Sequence, residues 1–349
     1  MKDSISTTNI KNFNKNFKSN PTNKISRNAL TRSLIDNIAM DWDAYRMVDH
    51  TYSNVVSNEM KKVTNQKASG RCWGFAGLNL MRISLAEKYN LANFEFSQNY
   101  FMFFDKLEKS NYFLENILKT LDESYDSRLM MHLLDSPVQD GGQWDMFVNL
   151  IEKYGVVPQS VMAESFQSSQ SRMMNQFLTR KLREFAWVLR NMNDKGKKLS
   201  DLRKEKENMM STIYSMLCIC LGDPPTKFDW QTRDKKNKFI RKTNLTPQDF
   251  YKKHCNIDLK DKVCLIHAPM SNKKMNELYT VSYLGNVVGG QIIKYANVDI
   301  EEIKKAAIKS IKSNESVWFG CDVGKMFHRQ LGLMDMDLYD YEALFGTKF

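Results

Sequence analysis

Proline and glycine are scarce, 7 and 15 among 349 residues, which argues against a fibrous or loop-rich protein. Charged residues interrupt every apolar run short of the roughly 18 residues needed to cross a bilayer, so no transmembrane helix is expected. The N-terminal stretch 1–32 is polar and rich in Asn, Lys and Ser, and lacks the apolar centre of a signal peptide. It has no acidic residue beyond Asp3, as a transit peptide would require, but Arg is sparse and no amphipathic pattern develops, so it reads as a flexible arm. Cysteine is limited to six scattered positions, Cys72, Cys218, Cys220, Cys255, Cys264 and Cys321, a distribution that fits reduced thiols better than a disulfide framework. Cys218 and Cys220 stand in an apolar stretch with no second Cys/His pair at zinc spacing, so no metal site and no cofactor is expected.

What is present is ample core material: 42% hydrophobic and 11% aromatic residues. That is enough for one large domain or two lobes sharing a core. A formal charge of +11 favours acidic partners without identifying one. Much of the excess lies in Arg190–Lys206 and Arg233–Lys242, which read first as solvated faces and second as a weak case for nucleic acid. Neither segment is interleaved with the aromatics of a single-strand platform.

Helical patterns dominate the first two thirds. Residues 72–89 carry Trp73, Ala76, Leu80 and Ile83 at helical spacing, with Arg82, Glu87 and Lys88 at polar positions. Phe96–Lys109 reads as a helix capped by Ser97, Phe113–Ser124 as another, then Gln139–Gly155 after a Gly-Gly turn and Arg172–Asn191; Ile35–Tyr52 is partly helical. Asp223-Pro224-Pro225 ends the helical region. Strand-like runs follow at Val263–His267, Tyr279–Tyr283 and Ser316–Cys321, with a short helix over Val298–Ser310. The organisation expected is α+β: an arm at 1–32, a mainly helical lobe at 33–222 and a mixed, strand-rich lobe at 223–349.

The segment Asn65–Arg82 (NQKASGRCWGFAGLNLMR) carries chemistry: Cys72 follows a glycine-containing loop and opens a helix. Unpaired N–H groups and partial positive charge at a helix start favour a thiolate there. Gln66, six residues earlier, supplies an amide that would join the Cys72 backbone N–H as an oxyanion hole. The bland alternative is a helix-start cysteine beside a surface glutamine.

Gln66 followed at this spacing by Cys72-Trp73 and Phe75-Ala76 resembles the active-site segment of papain-like cysteine peptidases. Phe96-Ser97-Gln98 resembles that family's next helix start, and Asp140-Gly141-Gly142-Gln143-Trp144-Asp145 its glycine ledge for substrate. The runs Asn65–Trp73, Asp140–Met146, Thr280–Gly290, Val317–Lys325 and Leu331–Tyr339 resemble the bleomycin hydrolase group, called aminopeptidase C in bacteria. Ser69 stands where the extracellular enzymes carry a disulfide cysteine.

The resemblance implies a papain-like fold and an intracellular, cytoplasmic, homohexameric thiol aminopeptidase acting on peptide substrates. Cys72 would be the nucleophile, Gln66 the oxyanion donor, and Gly141, Gly142 and Trp73 the substrate-binding residues. Some members of the group also bind nucleic acid. The family's catalytic His and Asn lie beyond the segment matching Leu331–Gly346, so the strand-rich lobe is expected to be incomplete here and both groups absent from residues 1–349. None of His50, His132, His254, His267 and His328 sits in the family's histidine motif; His267 is the first internal substitute. One expectation is a peptidase whose histidine and asparagine come from elsewhere, as in a split gene with a complementary C-terminal polypeptide or an incomplete chain. Its competitor is an inactive homologue serving as an assembly or nucleic-acid-binding scaffold.

Overall fold

The computed structural model describes residues 4–57, 60, 62–255, 257–322, 324 and 326–348. Val323 and Lys325 of the family-like run at 317–325, residues 58, 59 and 61 of the polar stretch before Cys72, and the ends of the chain lie outside the described residues. The elements in order are α1 (Thr7–Ser19), α2 (Pro21–Leu30), α3 (Ile35–Ala39), α4 (Trp42–Met47), α5 (Cys72–Tyr89), α6 (Gln98–Lys119) and α7 (Arg128–Asp135). Then come α8 (Trp144–Tyr154), α9 (Phe166–Ser169), α10 (Arg172–Asp194), α11 (Leu199–Leu221), the strands β1 (Phe228–Arg233) and β2 (Phe239–Leu245), and α12 (Pro247–His254). The chain continues through β3 (Cys264–Ile266), β4 (Glu277–Tyr279), β5 (Tyr295–Asn297), α13 (Ile300–Lys312), β6 (Phe327–His328), β7 (Leu333–Met334) and α14 (Tyr341–Phe345). The α+β class read from the sequence is what the chain adopts.

Two compact units divide the molecule, one from residues 54–319 and one from residues 4–53 with 320–348, a division unlike the boundaries expected at 32 and 222. The larger unit is organised around α6. Its sequence QNYFMFFDKLEKSNYFLENILK contains no proline or glycine, so the helix runs unbroken where the sequence suggested two. The Ser97 hydroxyl accepts the Tyr100 N–H at 3.0 Å, the cap expected at this start. Phe103, Leu114 and Ile117 are 0% exposed, and each such side chain contributes about 1.5–3 kcal/mol by leaving water. Helices α5, α8, α10 and α11 pack around α6.

The stripe on α5 differs from the one expected. Ala76, Leu80 and Ile83 are only half-buried, while Gly74, Leu78, Met81 and Leu85 point inward. Gly74 and Gly77 make the close approach possible: a Cβ at either would fall 2.4–2.5 Å from the ring of Phe101 or Phe147. Arg82, expected at a polar position, is buried, because its guanidinium donates to the Lys62 carbonyl at 3.2 Å.

Strands are short. β1 and β2 form an antiparallel hairpin whose inner face, with Trp230 and Phe228, meets Phe250 of α12. β3, β5 and β4 form a three-stranded sheet, parallel between β3 and β5 and antiparallel between β5 and β4. The expected strand at Tyr279–Tyr283 ends at Tyr279, and Ser316–Cys321 joins no sheet among the described residues. In the latter, Trp318 turns inward and donates its indole N–H to the Trp73 carbonyl at 3.3 Å.

In the smaller unit the stretch read as an arm is helical. Residues 7–30 form α1 and α2, helices with no buried residue. Their formation follows from local capping: Ser6 and Asn9 make a reciprocal box, and Asn20 caps α2 just ahead of Pro21 at its first position. The unit's small core is Ala39, Leu333, Leu338 and Tyr339, tied by the Asp41 N–H to Leu338 carbonyl bond at 2.8 Å.

Candidate active site

Cys72 is the first residue of α5 and is exposed. The loop before it is held from several sides. Ala68 pairs with Gln170, its N–H donating to the Ser169 carbonyl at 3.0 Å. Ser69 Oγ donates to the Gln66 carbonyl at 2.7 Å and accepts from Arg71 Nε at 2.9 Å. The Gly70 N–H donates to Asp140 Oδ2 at 2.9 Å. Arg71, next to the thiol, is buried and grips Glu164 with both guanidinium nitrogens. Gln66, the sequence candidate for an oxyanion donor, is half-buried on this same loop.

The glycine segment Gly141-Gly142 leads into α8, and the residue before it, Asp140, is a junction. Its carboxylate accepts from the Gly70 N–H, from Lys106 Nζ at 2.6 Å, from Ser171 Oγ at 2.5 Å and from Asn175 Nδ2 at 2.7 Å. Its backbone carbonyl accepts the Trp73 indole N–H at 2.7 Å. Burial acts to raise the Asp140 carboxyl, but the Lys106 charge and these hydrogen bonds outweigh it and hold it well below the usual carboxylate range. Burial and the nearby Lys109 charge bring Lys106 down to about 8, outweighing the opposite pull of Asp140 and Asp105.

Gly141 is exposed, and a Cβ there would meet nothing within 4 Å, so its outer side is open. Gly142 is different: a Cβ would fall 2.5 Å from Trp73 Cε2. Trp73, expected to bind substrate, is buried to 4% exposure beneath the ledge. Its ring meets Phe101 edge-on at 4.9 Å and has Lys109 Nζ over it at 5.2 Å. A surface cleft of about 560 Å³ lies beside Asp140, lined by Val138, Gln139, Asp140, Arg172, Asn175 and Arg180 among others.

The structure thus brings Cys72, Trp73, Gly141 and Gly142 into one network through Asp140, with Gln66 on the loop that the network holds. No histidine hydrogen-bonds Cys72 among the described residues. His267 is exposed and engages the Val298 carbonyl through Nδ1 at 3.1 Å, and His254 is buried against Tyr89. Sequence reading did not single out Lys106, Lys109, Glu164, Ser171 or Asn175. The one signal was the pair of lysines set among aromatics in FMFFDKLEK, where a core helix carries charge only if it is partnered.

The basic segments are partly engaged internally. Arg190 is buried and donates to the Thr120 carbonyl at 2.7 Å, Arg203 and Lys206 both pair with Glu115, and Arg241 pairs with Asp229. Among the described residues no helix is long and apolar enough to cross a membrane, and no group of three or more His, Cys, Asp or Glu side chains is placed to hold a metal ion.

The family model described as the Peptidase C1-like family matches residues 4–349. Aminopeptidase C of Listeria monocytogenes is 44% identical over 339 residues, covering 97% of this chain and 76% of the relative. Bleomycin hydrolase of Homo sapiens is 44% identical over 321 residues, covering 91% of this chain and 70% of the relative. The crystal structure of PepW from Lactobacillus rhamnosis superposes with a TM-score of 0.97 at 43% identity, over 100% of this chain and 78% of that one.

Proposed function

Since this chain belongs to the Peptidase C1-like family, in the group of aminopeptidase C and bleomycin hydrolase, we propose that it is a thiol aminopeptidase in which Cys72 is the nucleophile. The observation that carries the reading is an exposed cysteine at a helix start, joined through Asp140 to an open glycine ledge.

In the proposed reaction a peptide lies along Gly141 and Gly142 and hydrogen-bonds their backbone as an added strand would. The Cys72 sulfur attacks the carbonyl of the N-terminal residue. The oxyanion is held by the Cys72 N–H and the Gln66 amide, donors of the kind whose loss costs about 10²–10³ in rate. Collapse breaks the C–N bond and leaves an acyl-enzyme, which water hydrolyses. Trp73 acts from below, as the support of the ledge. The proton for the leaving amine comes from a histidine oriented by an asparagine, and we propose that a complementary polypeptide supplies both.

The proposal extends to a homohexamer in the cytoplasm; the six free cysteines suit a reducing compartment. An inactive scaffold is the alternative, and nucleic-acid binding through the basic segments is the less supported form of it. The test is hydrolysis of aminoacyl-coumarin amides by the protein together with the family's C-terminal polypeptide. Turnover lost on Cys72→Ala supports the proposal, and turnover unaffected by it refutes the assignment of the nucleophile.

A further inference from the structure

Two lysines one turn apart on α6 hold four consecutive residues of the ledge. Lys106 Nζ donates to the Val138 carbonyl at 2.5 Å and to Asp140 Oδ1 at 2.6 Å. Lys109 Nζ donates to the Gln139 carbonyl at 2.8 Å, to the Gly141 carbonyl at 2.7 Å and to Asp105 Oδ2 at 2.7 Å. An ammonium has three N–H donors, so these bonds occupy all of those of Lys109. Both lysines are buried, at 1% and 4% exposure. Inward-facing charge of this kind is costly to bury and persists where it fixes a geometry that apolar packing does not.

Apolar contacts alone do not explain the ledge. Gly141 has no Cβ and is exposed, so no side chain of its own sets the direction of its peptide group. Its carbonyls face inward, where two of the three bonds from Lys109 meet them. We propose that Lys109 is a positioning residue for substrate, which fixes the direction of the Gly141 peptide group, while Lys106 couples the ledge to the nucleophile loop through Asp140 and Gly70. The two lysines therefore divide the labour: Lys109 sets how well a peptide is held, and Lys106 sets how the held peptide is registered against Cys72.

This inference rests on the peptidase reading, and the test separates the two. The rate of Cys72 alkylation is measured with iodoacetamide, which needs no ledge, and with an aminoacyl chloromethyl ketone, which does. Cys321, also exposed, serves as the reference thiol. In the unsubstituted protein the ketone should react faster than its intrinsic reactivity accounts for, and no such preference would sink the peptidase reading itself. Lys109→Met should lower the ketone rate about tenfold to a hundredfold, as expected for losing hydrogen bonds to a charged group. The iodoacetamide rate should stay within about threefold of the original, since those bonds do not reach Cys72. Lys109→Arg, which keeps charge and donors, should recover part of the preference.

A merely structural role is distinguished by Glu115→Gln. Glu115 is another buried acid of α6, paired with Arg203 and Lys206 of α11, and its loss loosens the same helix without touching the ledge. That variant should leave both rates unchanged. Equal loss of both rates in Lys109→Met, or an equal fall of the ketone rate in Glu115→Gln, would overturn the inference. Should Lys109→Met fail to fold, Lys109→Gln, which retains a donor for one carbonyl, should lower the ratio of ketone to iodoacetamide rates below that of the original, and an unchanged ratio would overturn the inference.

Discussion

Arg71, the residue immediately before Cys72, forms a two-pronged ion pair with Glu164, with Nη1 to Oε1 at 2.9 Å and Nη2 to Oε2 at 2.7 Å. Parallel bonds of this kind fix orientation as well as distance. The Arg71 side chain is 3% exposed and that of Glu164 is 20%, so the pair is largely out of water. Ser168 Oγ adds a bond to Glu164 Oε2 at 2.8 Å, and the Arg71 guanidinium lies 5.0 Å from the Phe75 ring centre.

Removing one partner of such a pair leaves a buried charge uncompensated. Glu164→Ala is therefore expected to lower stability by about 3–5 kcal/mol, measured as a shift of the urea midpoint at constant slope. Replacing both residues by apolar ones should cost less than this single change. A midpoint within experimental error of the original would show that Arg71 finds another partner.

The two ledge glycines should respond differently to the same substitution. Gly142→Ala places a Cβ 2.5 Å from Trp73 Cε2, and that ring cannot retreat freely because it is packed on Phe101 and bonded to the Asp140 carbonyl. It should lose about 1–3 kcal/mol of stability and change the tryptophan emission. Gly141→Ala meets nothing within 4 Å and should melt like the original, while weakening the binding of a peptide reagent. Equal melting of both variants would contradict this account.

The parts of this structure that were legible in the sequence are those fixed locally. The Ser97 cap follows from capping chemistry and the helix from Arg172 from apolar spacing, whereas α5 begins at Cys72 with no side-chain cap and buries another stripe than the spacing suggested. The caps Ser6 and Asn20-Pro21 were equally local, but α1 and α2 have no buried face to produce a period, and their polar composition concealed them. The β1–β2 hairpin was masked by the charges of RDKKNKFIRK, though Trp230 and Phe228 point inward at alternate positions. Lys106 and Lys109 were hidden for another reason. The partners of a buried ammonium come from a segment about thirty residues away, and only the fold brings that segment near. Cys72 and Gln66 were singled out by a helix start and a nearby amide, and the resemblance added the roles that spacing alone leaves open.

Acid sensitivity should include a contribution from His254. It is buried, and desolvation lowers its pKa from the ordinary 6.5, assisted by the charges of Lys88, Lys242 and Lys253 and opposed by Asp249. The unfolded chain then binds the proton more readily than the folded one, so stability increases with pH across the window between the two values. The contribution is complete above about 6.5 and is lost as pH falls through the lower folded value. His254→Gln should flatten the unfolding free energy below pH 6.5 while leaving its slope at higher pH unchanged. An identical pH profile in the variant would remove His254 from the account.

Catalysis provides the decisive prediction. Residues 1–349 by themselves should hydrolyse aminoacyl amides poorly, although Cys72 is exposed and the ledge is open. Attack by sulfur is only half of amide cleavage, because the leaving amine must also receive a proton. General acid–base assistance contributes about 10²–10⁴-fold, and no histidine hydrogen-bonds Cys72 among the described residues. Supplying polypeptide that carries the family's histidine and asparagine should restore a factor of about that size, and Cys72→Ala should abolish the gain. If residues 1–349 alone turn over robustly and depend on Cys72, an internal histidine performs the proton transfer. His267→Ala is then the first variant to measure; its Nδ1 lies 3.1 Å from the Val298 carbonyl.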